Sequence, residues 1–376
     1  MQNKLSILFI STSIGHRTFR KTVRMMERVG CEVRLIGFSR AKYPESTESF
    51  DIIDLGSLDH GNYTKRSKKF IFALGAIRRQ IKQHDLLHCF GLDSRLLASI
   101  AGWGLRKPTV YQVQDIRPVL IGESLKARFA RSLERLLLKN VKRLVVSSHA
   151  YYTEHFRHHY KISEIRVTII ENKLEHDPLE QYSSELTPAI AEGVNIGYFG
   201  VLRCQRSWDI LTRLVESDAQ GRFALCARGV DTGLTGFDAA VTSISSISYA
   251  GPYRDPDDLD ELYRNVHIVW AAYPFGYDQP GNWQWARTVR FYEACAYGIP
   301  VIVQKGTQDA LFVQKHDIGL VVDMGQPSEA IALMRQITSE KLIQWRKNIL
   351  SLPRSCFIHT DEYQKLYQEL RHLASL

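Results

Sequence analysis

Short, continuously apolar runs rich in β-branched residues alternate with stretches of helical spacing along this chain, and the alternation runs through twice. In the first pass 5–11, 32–37, 86–90, 109–113, 144–147 and 167–170 read as strands, with helices at 17–29, around 68–83, from 94, and across 124–139. A strand apolar at every position is covered on both faces, and helices between such strands make the crossovers of a parallel sheet. Between 176 and 193 the pattern lapses into Asp-Pro, paired serines, Thr-Pro and Glu-Gly, which are turn and linker signals. It then restarts, with strands at 195–199, 223–227, 247–249, 268–271, 300–303 and 319–322. Helices fall between them at 208–217, 257–263 and 286–296, then at 328–338 and 341–350. A chain of 376 residues is also too long for one ordinary core. The expected fold is α/β: two tandem doubly wound parallel-sheet (Rossmann-like) domains, 1–180 and 181–355, with a C-terminal helix in 356–376 packing back toward the first. Ligands of such sheets bind at the carboxyl ends of the strands, which places the expected site in a cleft between facing domains.

The charge is divided as the domains are. Residues 1–180 hold 31 Lys and Arg against 18 Asp and Glu, net +13, and the remainder holds 18 against 22, net −4. Most of the excess lies in 65–143, with 18 basic and 5 acidic residues. Such a field on one half predicts an anionic surface or ligand there. Two helical segments, 67–82 and 124–139, mix apolar and basic residues; each reads as a solvated face or as a surface for anionic lipid headgroups.

Six scattered cysteines with no Cys-x-x-Cys pair predict small buried residues of a reducing compartment. The apolar run 5–10 is too short for a signal-peptide core, and no later stretch approaches a membrane span. The expected location is the cytoplasm, with peripheral association at the inner face of the cytoplasmic membrane.

The segment 286–303, ARTVRFYEACAYGIPVIV, carries the most chemistry. Its helix ends at Gly298, and Pro300 opens a buried strand. Glu293 lies mid-helix, one turn beyond Arg290; on spacing alone the two form a surface pair worth about a few tenths of a kcal/mol. The segment resembles the donor-site helix of family-4-type GT-B glycosyltransferases, in which P-x-K-x-x-E-x-x-A-x-G-x-P-V-I recurs. Glu293, Ala296, Gly298, Pro300, Val301 and Ile302 match, and Arg290 stands for the lysine. The resemblance implies that Glu293 accepts hydrogen bonds from the ribose hydroxyls of a nucleotide sugar, a task suited to an acceptor-only carboxylate. Trp285 stands where the larger family often has a second glutamate, so contacts to the transferred sugar differ here.

Further matches follow in order. NIGYFGVLRCQRSWDIL, 195–211, resembles the first strand–loop–helix of the donor domain. There Gly200 would allow close backbone approach, and Arg203 and Arg206 would neutralise a diphosphate together with the helix N-terminus. The stretch 247–275 resembles the family's next β–capped helix–β unit. In the Gly- and aromatic-rich loop 276–285, Asn282 and Trp283 read equally as donor contacts or as structural residues. The stretches 84–102 and 108–118 resemble the two central units of the N-terminal domain, with Phe90 and Gln114 at positions where histidines are usual. Gln114 can still bond a sugar but carries no proton; with Asp115 and Arg206 it makes up the expected catalytic set. His88 reads as a satisfied core histidine. The loop 11–21 lacks Gly-x-Gly-x-x-Gly, and its Gly15, His16 and Arg17 are the expected acceptor or phosphate loop.

The implied activity is transfer of a sugar from a nucleotide-diphosphate sugar to a glycan or lipid-linked acceptor, retaining, with no metal and no cofactor. A UDP-sugar is the first expected donor and a GDP-sugar the second. His84 with His88, and His155 with His159, do not form a zinc pattern, and the latter pair reads as a solvated helix face. A sugar-nucleotide epimerase or a catalytically silent nucleotide-sugar binder shares the architecture. A nucleic-acid binder is disfavoured because no stacking-type aromatic motif accompanies the basic residues.

Overall fold

The computed structural model describes residues 4–39, 50–58, 63–181, 193–273 and 281–374, with backbone alone for 63–67 and 181. They form two compact units, one of residues 1–171 with 360–376 and one of residues 172–359.

The first unit contains β1 (Ser6–Ser11), α1 (Arg17–Arg28), β2 (Glu32–Ser39), β3 (Ile52–Ser57), α2 (Tyr63–Gln83), β4 (Leu86–Phe90) and α3 (Leu92–Ala101). It continues with β5 (Thr109–Val113), α4 (Leu125–Leu138), β6 (Val141–Val146), a π-helical stretch Tyr151–Arg157 leading into α5 (His158–Tyr160), and β7 (Val167–Ile169). All seven strands are parallel, in the order β3-β2-β1-β4-β5-β6-β7. The direction of winding reverses at β1. Leu8, Ile10 and Ile36 pack on Ile77, Ile81 and Leu97 of α2 and α3, while Ile7, Phe9 and Leu35 pack on Phe19, Val23 and Met26 of α1. This is the two-sided burial that the unbroken apolar runs require.

The second unit contains α6 (Pro178–Gln181), β8 (Val194–Leu202), α7 (Gln205–Glu216), β9 (Phe223–Asp231), α8 (Phe237–Ser243), β10 (Ile247–Tyr249), α9 (Leu259–Arg264) and β11 (Ile268–Trp270). There follow α10 (Asn282–Trp285), α11 (Val289–Ala296), β12 (Val301–Gln304), α12 (Gln308–His316), β13 (Gly319–Val322), α13 (Pro327–Met334) and α14 (Ser339–Ser351). Its six strands are parallel in the order β10-β9-β8-β11-β12-β13, and winding reverses at β8. The last helix, α15 (Glu362–Ala374), belongs to the first unit. Tyr363, Leu366 and Leu370 join the α1 cluster, and Glu369 accepts from Thr168 Oγ1 at 3.0 Å.

The units divide at 171/172 rather than at 180/181. Residues 172–181 are held to the second unit by Leu174 N–Phe357 O (2.9 Å), His359 N–Leu174 O (2.8 Å) and the Arg354–Asp177 ion pair at 2.6 Å. Part of the expected linker, 182–192, lies outside the described residues. Several short elements were not expected, among them the seven-residue α8, β3 and α12. β3 is an edge strand with half-exposed side chains, and α12 is a nine-residue helix of weak periodicity. The helix expected from 286 begins only at Val289, because Thr288 caps it by accepting from Phe291 N at 3.2 Å.

The solvated face expected for His155 and His159 is corrected at His155, which is fully buried. Glu134, the only acid of α4, points inward and is also fully buried. His155 Nε2 shares a 2.7 Å hydrogen bond with Glu134 Oε2, and Tyr160 Oη and Tyr111 Oη donate to the same carboxylate at 2.5 and 3.3 Å. A buried carboxylate is tolerated only when so satisfied. Among the described residues no helix is long and apolar enough to cross a membrane.

Candidate functional site

In the second unit Arg203 and Arg206 follow β8, and Arg290 reaches the carbonyls at the end of β11. α7 opens at Cys204 without a side-chain cap and without an acid in its first turn, so its amide dipoles point toward the β8 exit unopposed. Arg203 and Arg206, both exposed, flank that terminus. The Arg203 guanidinium lies 5.5 Å from the centroid of the Tyr273 ring, past the end of β11. Arg206 Nη1 donates to Met324 O at 3.1 Å, past the end of β13. Two cations and a helix N-terminus at one strand exit are what a diphosphate needs. Gly200, expected to allow close backbone approach, sits inside β8 with φ +99°. The close backbone approach is made on it by β9: a Cβ on Gly229 would fall 1.8 Å from Gly200 O.

α11 is fixed at both ends. At its C-terminus Gly298 adopts φ +70°, Ile299 N bonds Ala294 O at 2.8 Å, and Arg346 Nη1 donates to Gly298 O at 3.2 Å. Arg354 Nη2 donates to Ala296 O at 2.5 Å. Arg290 does not pair with Glu293 along the surface. It donates to Ala272 O at 2.9 Å and to Trp270 O at 3.4 Å, and its guanidinium lies 5.5 Å from the Tyr198 ring centroid. Glu293 is only 1% exposed, and its Oε2 accepts from Tyr263 Oη at 2.6 Å. Tyr263 stacks on Tyr297 at 5.0 Å, and Tyr297 Oη in turn donates to Asp260. Sequence reasoning missed Tyr263, which lies 30 residues from Glu293 and announces itself by no local spacing.

A narrow recess lies past β11 and β12, where Ala272, Tyr273, Trp283, Thr288, Gln304 and Asp309 form part of its wall. Asp309 is buried and accepts from Thr288 N at 3.0 Å, Thr288 Oγ1 at 2.9 Å and Arg287 Nε at 3.3 Å. Burial pushes its carboxyl up from the ordinary range, against the pull of Arg287 and Thr288. The Asp309–Thr288 bonds tie the start of α12 to the start of α11. Thr307, the α12 cap, was the available signal for this helix. Of the expected aromatic loop, 276–280 lie outside the described residues. Asn282 opens α10, Trp283 reaches the recess, and Trp285 is half-buried.

In the first unit Gly15, His16 and Arg17 leave β1, Phe90 ends β4, and Gln114 and Asp115 leave β5, so all lie at the carboxyl ends of three adjacent strands. The His16 ring is 5.7 Å from that of Phe90. Gln114 is half-buried and Asp115 exposed, and Arg117 ion-pairs with Asp93 to join this exit to α3. His88 is a core residue: it stacks on Phe9 at 4.7 Å and shares a 2.7 Å hydrogen bond with Gln112 Oε1. Burial lowers its pKa to about 4. Burial also pushes the thiols of Cys31 and Cys89 up to about 12, which leaves them inert.

Comparison with known proteins also gives two matches, the second running on from the second unit into α15. Residues 15–173 match the model of the glycosyl transferase 4-like domain, and residues 234–372 match that of the glucosyltransferase 3-like C-terminal domain. The chain is 30% identical over 342 residues to the succinoglycan biosynthesis protein ExoL of Rhizobium meliloti, covering 87% of this chain and 83% of that protein. Among solved structures it resembles HepE of Anabaena, in complex with UDP and glucose, with TM-score 0.68 at 13% identity over 98% and 100% of the two chains. Sucrose-phosphate synthase of Thermosynechococcus elongatus follows, with TM-score 0.67 at 16% identity over 99% and 100%. These two likenesses show a shared fold, and the extended match to ExoL with the two domain models goes further: the chain belongs to the family-4-like GT-B glycosyltransferases and is a glycosyltransferase.

Proposed function

We propose that the chain moves a hexosyl group from a nucleoside diphosphate sugar to a glycan or lipid-linked acceptor in the synthesis of a cell-surface polysaccharide or glycolipid. A UDP-sugar is the first donor and a GDP-sugar the second. The observation that carries the reading is the β8 exit, where Arg203, Arg206 and the uncapped α7 N-terminus converge. Arg203 and Arg290 also both reach the 272–273 segment. These groups would stabilise the charge that gathers on the departing diphosphate, a task fixed dipoles and cations perform without reorganising. Glu293 would take the ribose hydroxyls, and at 1% exposed it can do so only if the nucleoside displaces a neighbour from the carboxylate. Asn282 is assigned to the donor as well. In the first unit Gln114 and Asp115 are assigned to the sugar, and Gly15, His16 and Arg17 to the acceptor or phosphate. The reading takes the reaction as retaining and metal-independent, and the basic stretch 65–143 as the side that meets anionic lipid. ExoL, by its name a polysaccharide-biosynthesis protein, and HepE, seen with UDP, support the acceptor class and the donor base.

The test is release of nucleoside diphosphate from UDP-glucose, UDP-galactose and GDP-mannose, with EDTA present and with a membrane extract as acceptor source. Acceptor-dependent release in EDTA supports the reading. Release that requires added divalent metal overturns the metal-independent mechanism. Conversion of a UDP-sugar to its epimer without release assigns an epimerase instead.

A further inference from the structure

α7 and α11 lie on opposite faces of the six-stranded sheet. Trp208, Ile210 and Leu211 of α7 pack with Ile268 and Trp270 of β11, whereas Phe291, Ala294 and Cys295 of α11 pack with Val269 of the same strand. One buried side chain reaches both helices. Tyr198 of β8 is 1% exposed and belongs to the α7 cluster. It follows Gly197, which pairs with Val269, so it stands beside Trp270 at the end of β11. The Arg290 guanidinium comes over from α11 and lies 5.5 Å from the Tyr198 ring centroid while donating to Trp270 O and Ala272 O. Burial raises the pKa of the phenol. The Arg290 charge, and hydrogen bonds that the phenol takes from the Cys204 backbone N–H and from Arg290, act the other way. Cys204 is the residue that opens α7.

A buried phenol needs a partner for its hydroxyl. Here the partners are a guanidinium from one face of the sheet and an amide at the head of a helix on the other. Two carbonyls and a phenol around one cation also suit the planar fork of arginine, which the point charge of a lysine does not reproduce. We infer that Tyr198 is a positioning residue of the diphosphate site: its hydroxyl ties Arg290 to the opening of α7 and so fixes the spacing between that cation and the helix N-terminus. The inference rests on the reading of the β8 exit as the donor site and deepens it, because Tyr198 is buried and acts through Arg290. Spacing matters here because a displacement of about 1 Å in a charged site can cost on the order of 10²-fold in rate.

The test is calorimetric titration of UDP and GDP into the full chain as wild type, Tyr198→Phe, Arg290→Lys and the double variant. Affinity for the matching nucleoside, uridine or guanosine, is read by competition. The diphosphate that binds the wild type should bind each single variant about tenfold more weakly, the loss of about one charged hydrogen bond. The double variant should lie within about threefold of the weaker single variant, because both substitutions remove the same tie. Nucleoside affinity should stay within about threefold in all four proteins, which a general loosening of the unit would not allow. A double variant weakened about a hundredfold, the sum of two independent losses, overturns the inference. So does wild-type diphosphate affinity in either single variant, or an equal loss for nucleoside and diphosphate. Should Tyr198→Phe fail to fold, Arg290→Lys still decides: the tenfold loss with nucleoside affinity kept supports the tie, and wild-type affinity overturns it. Binding of neither diphosphate to the wild type counts against the donor reading. Independent losses in a protein that binds one of them count against this inference alone.

Discussion

Tyr263 Oη donates a 2.6 Å hydrogen bond to Glu293 Oε2 inside the second unit, so the acid that matches the family's ribose contact is fixed from α9. Glu293 is buried and its carboxylate is oriented by the fold, on a helix pinned at its N-terminus by Thr288 and at its C-terminus by Arg346 and Arg354.

Removing the tyrosine hydroxyl should therefore act on both stability and ligand affinity. Tyr263→Phe leaves a buried carboxylate short of one donor and should cost about 1.5–3 kcal/mol in urea unfolding. UDP affinity should fall as well, because the carboxylate is no longer oriented. A variant as stable as the wild type with unchanged UDP affinity removes Tyr263 from the account.

Arg206→Ala should lower kcat/KM by about 10²-fold or more, as expected for loss of a pre-placed cation at a developing charge. Arg206→Lys should recover part of this, since the charge returns without the guanidinium fork. Steady-state kinetics with the preferred donor decide it; equal activity of all three proteins would place the diphosphate elsewhere.

The buried histidine gives a pH signature. The His88 pKa falls to about 4 in the fold because burial disfavours the charged imidazole, against an ordinary value of 6.5. The unfolded chain thus binds the additional proton between those two values. The stability involved is fully present above about pH 6.5 and is lost as pH falls toward 4, up to about 3 kcal/mol in all. Melting temperatures of wild type and His88→Gln across this range should show a shallower slope for the variant. The burial of His88 in the core also calls for a variant that keeps its kcat within about threefold wherever it folds.

Glu134→Leu should destabilise the first unit by about 3–5 kcal/mol, because His155, Tyr160 and Tyr111 lose a shared buried acceptor. Equilibrium urea unfolding measures it. A loss under 1 kcal/mol would show that the network relaxes at about the strength of a surface pair.

The strands β4, β5 and β13 were legible at their observed bounds because they are short, mainly apolar runs between turn and helix signals. The αβ connection at Gly298 and Pro300 was legible because a left-handed glycine after a helix is a local event. What escaped was set at a distance. Asp309 matters through Thr288, 21 residues away, and Tyr263 through Glu293, 30 residues away. The pair expected on spacing, Arg290 with Glu293, gave way because Arg290 finds the carbonyls at the end of β11. His155 was misplaced for a similar reason: spacing places it on a helix face but does not reveal the buried acid beneath. On the candidate site, the ordered matches in 195–211 and 286–303 carried the family, while Trp285 and Gln114 stand where the usual sugar contacts would be.

In the proposed donor site a nucleoside diphosphate is held by Arg206 and Glu293. Calorimetric titration of UDP and GDP into wild type, Arg206→Ala and Glu293→Gln tests it most directly. The account predicts that one of the nucleotides binds the wild type and that each variant binds it at least about tenfold more weakly, the loss of one charged hydrogen bond. Binding of neither nucleotide to the wild type, or equal binding by all three proteins, would contradict it.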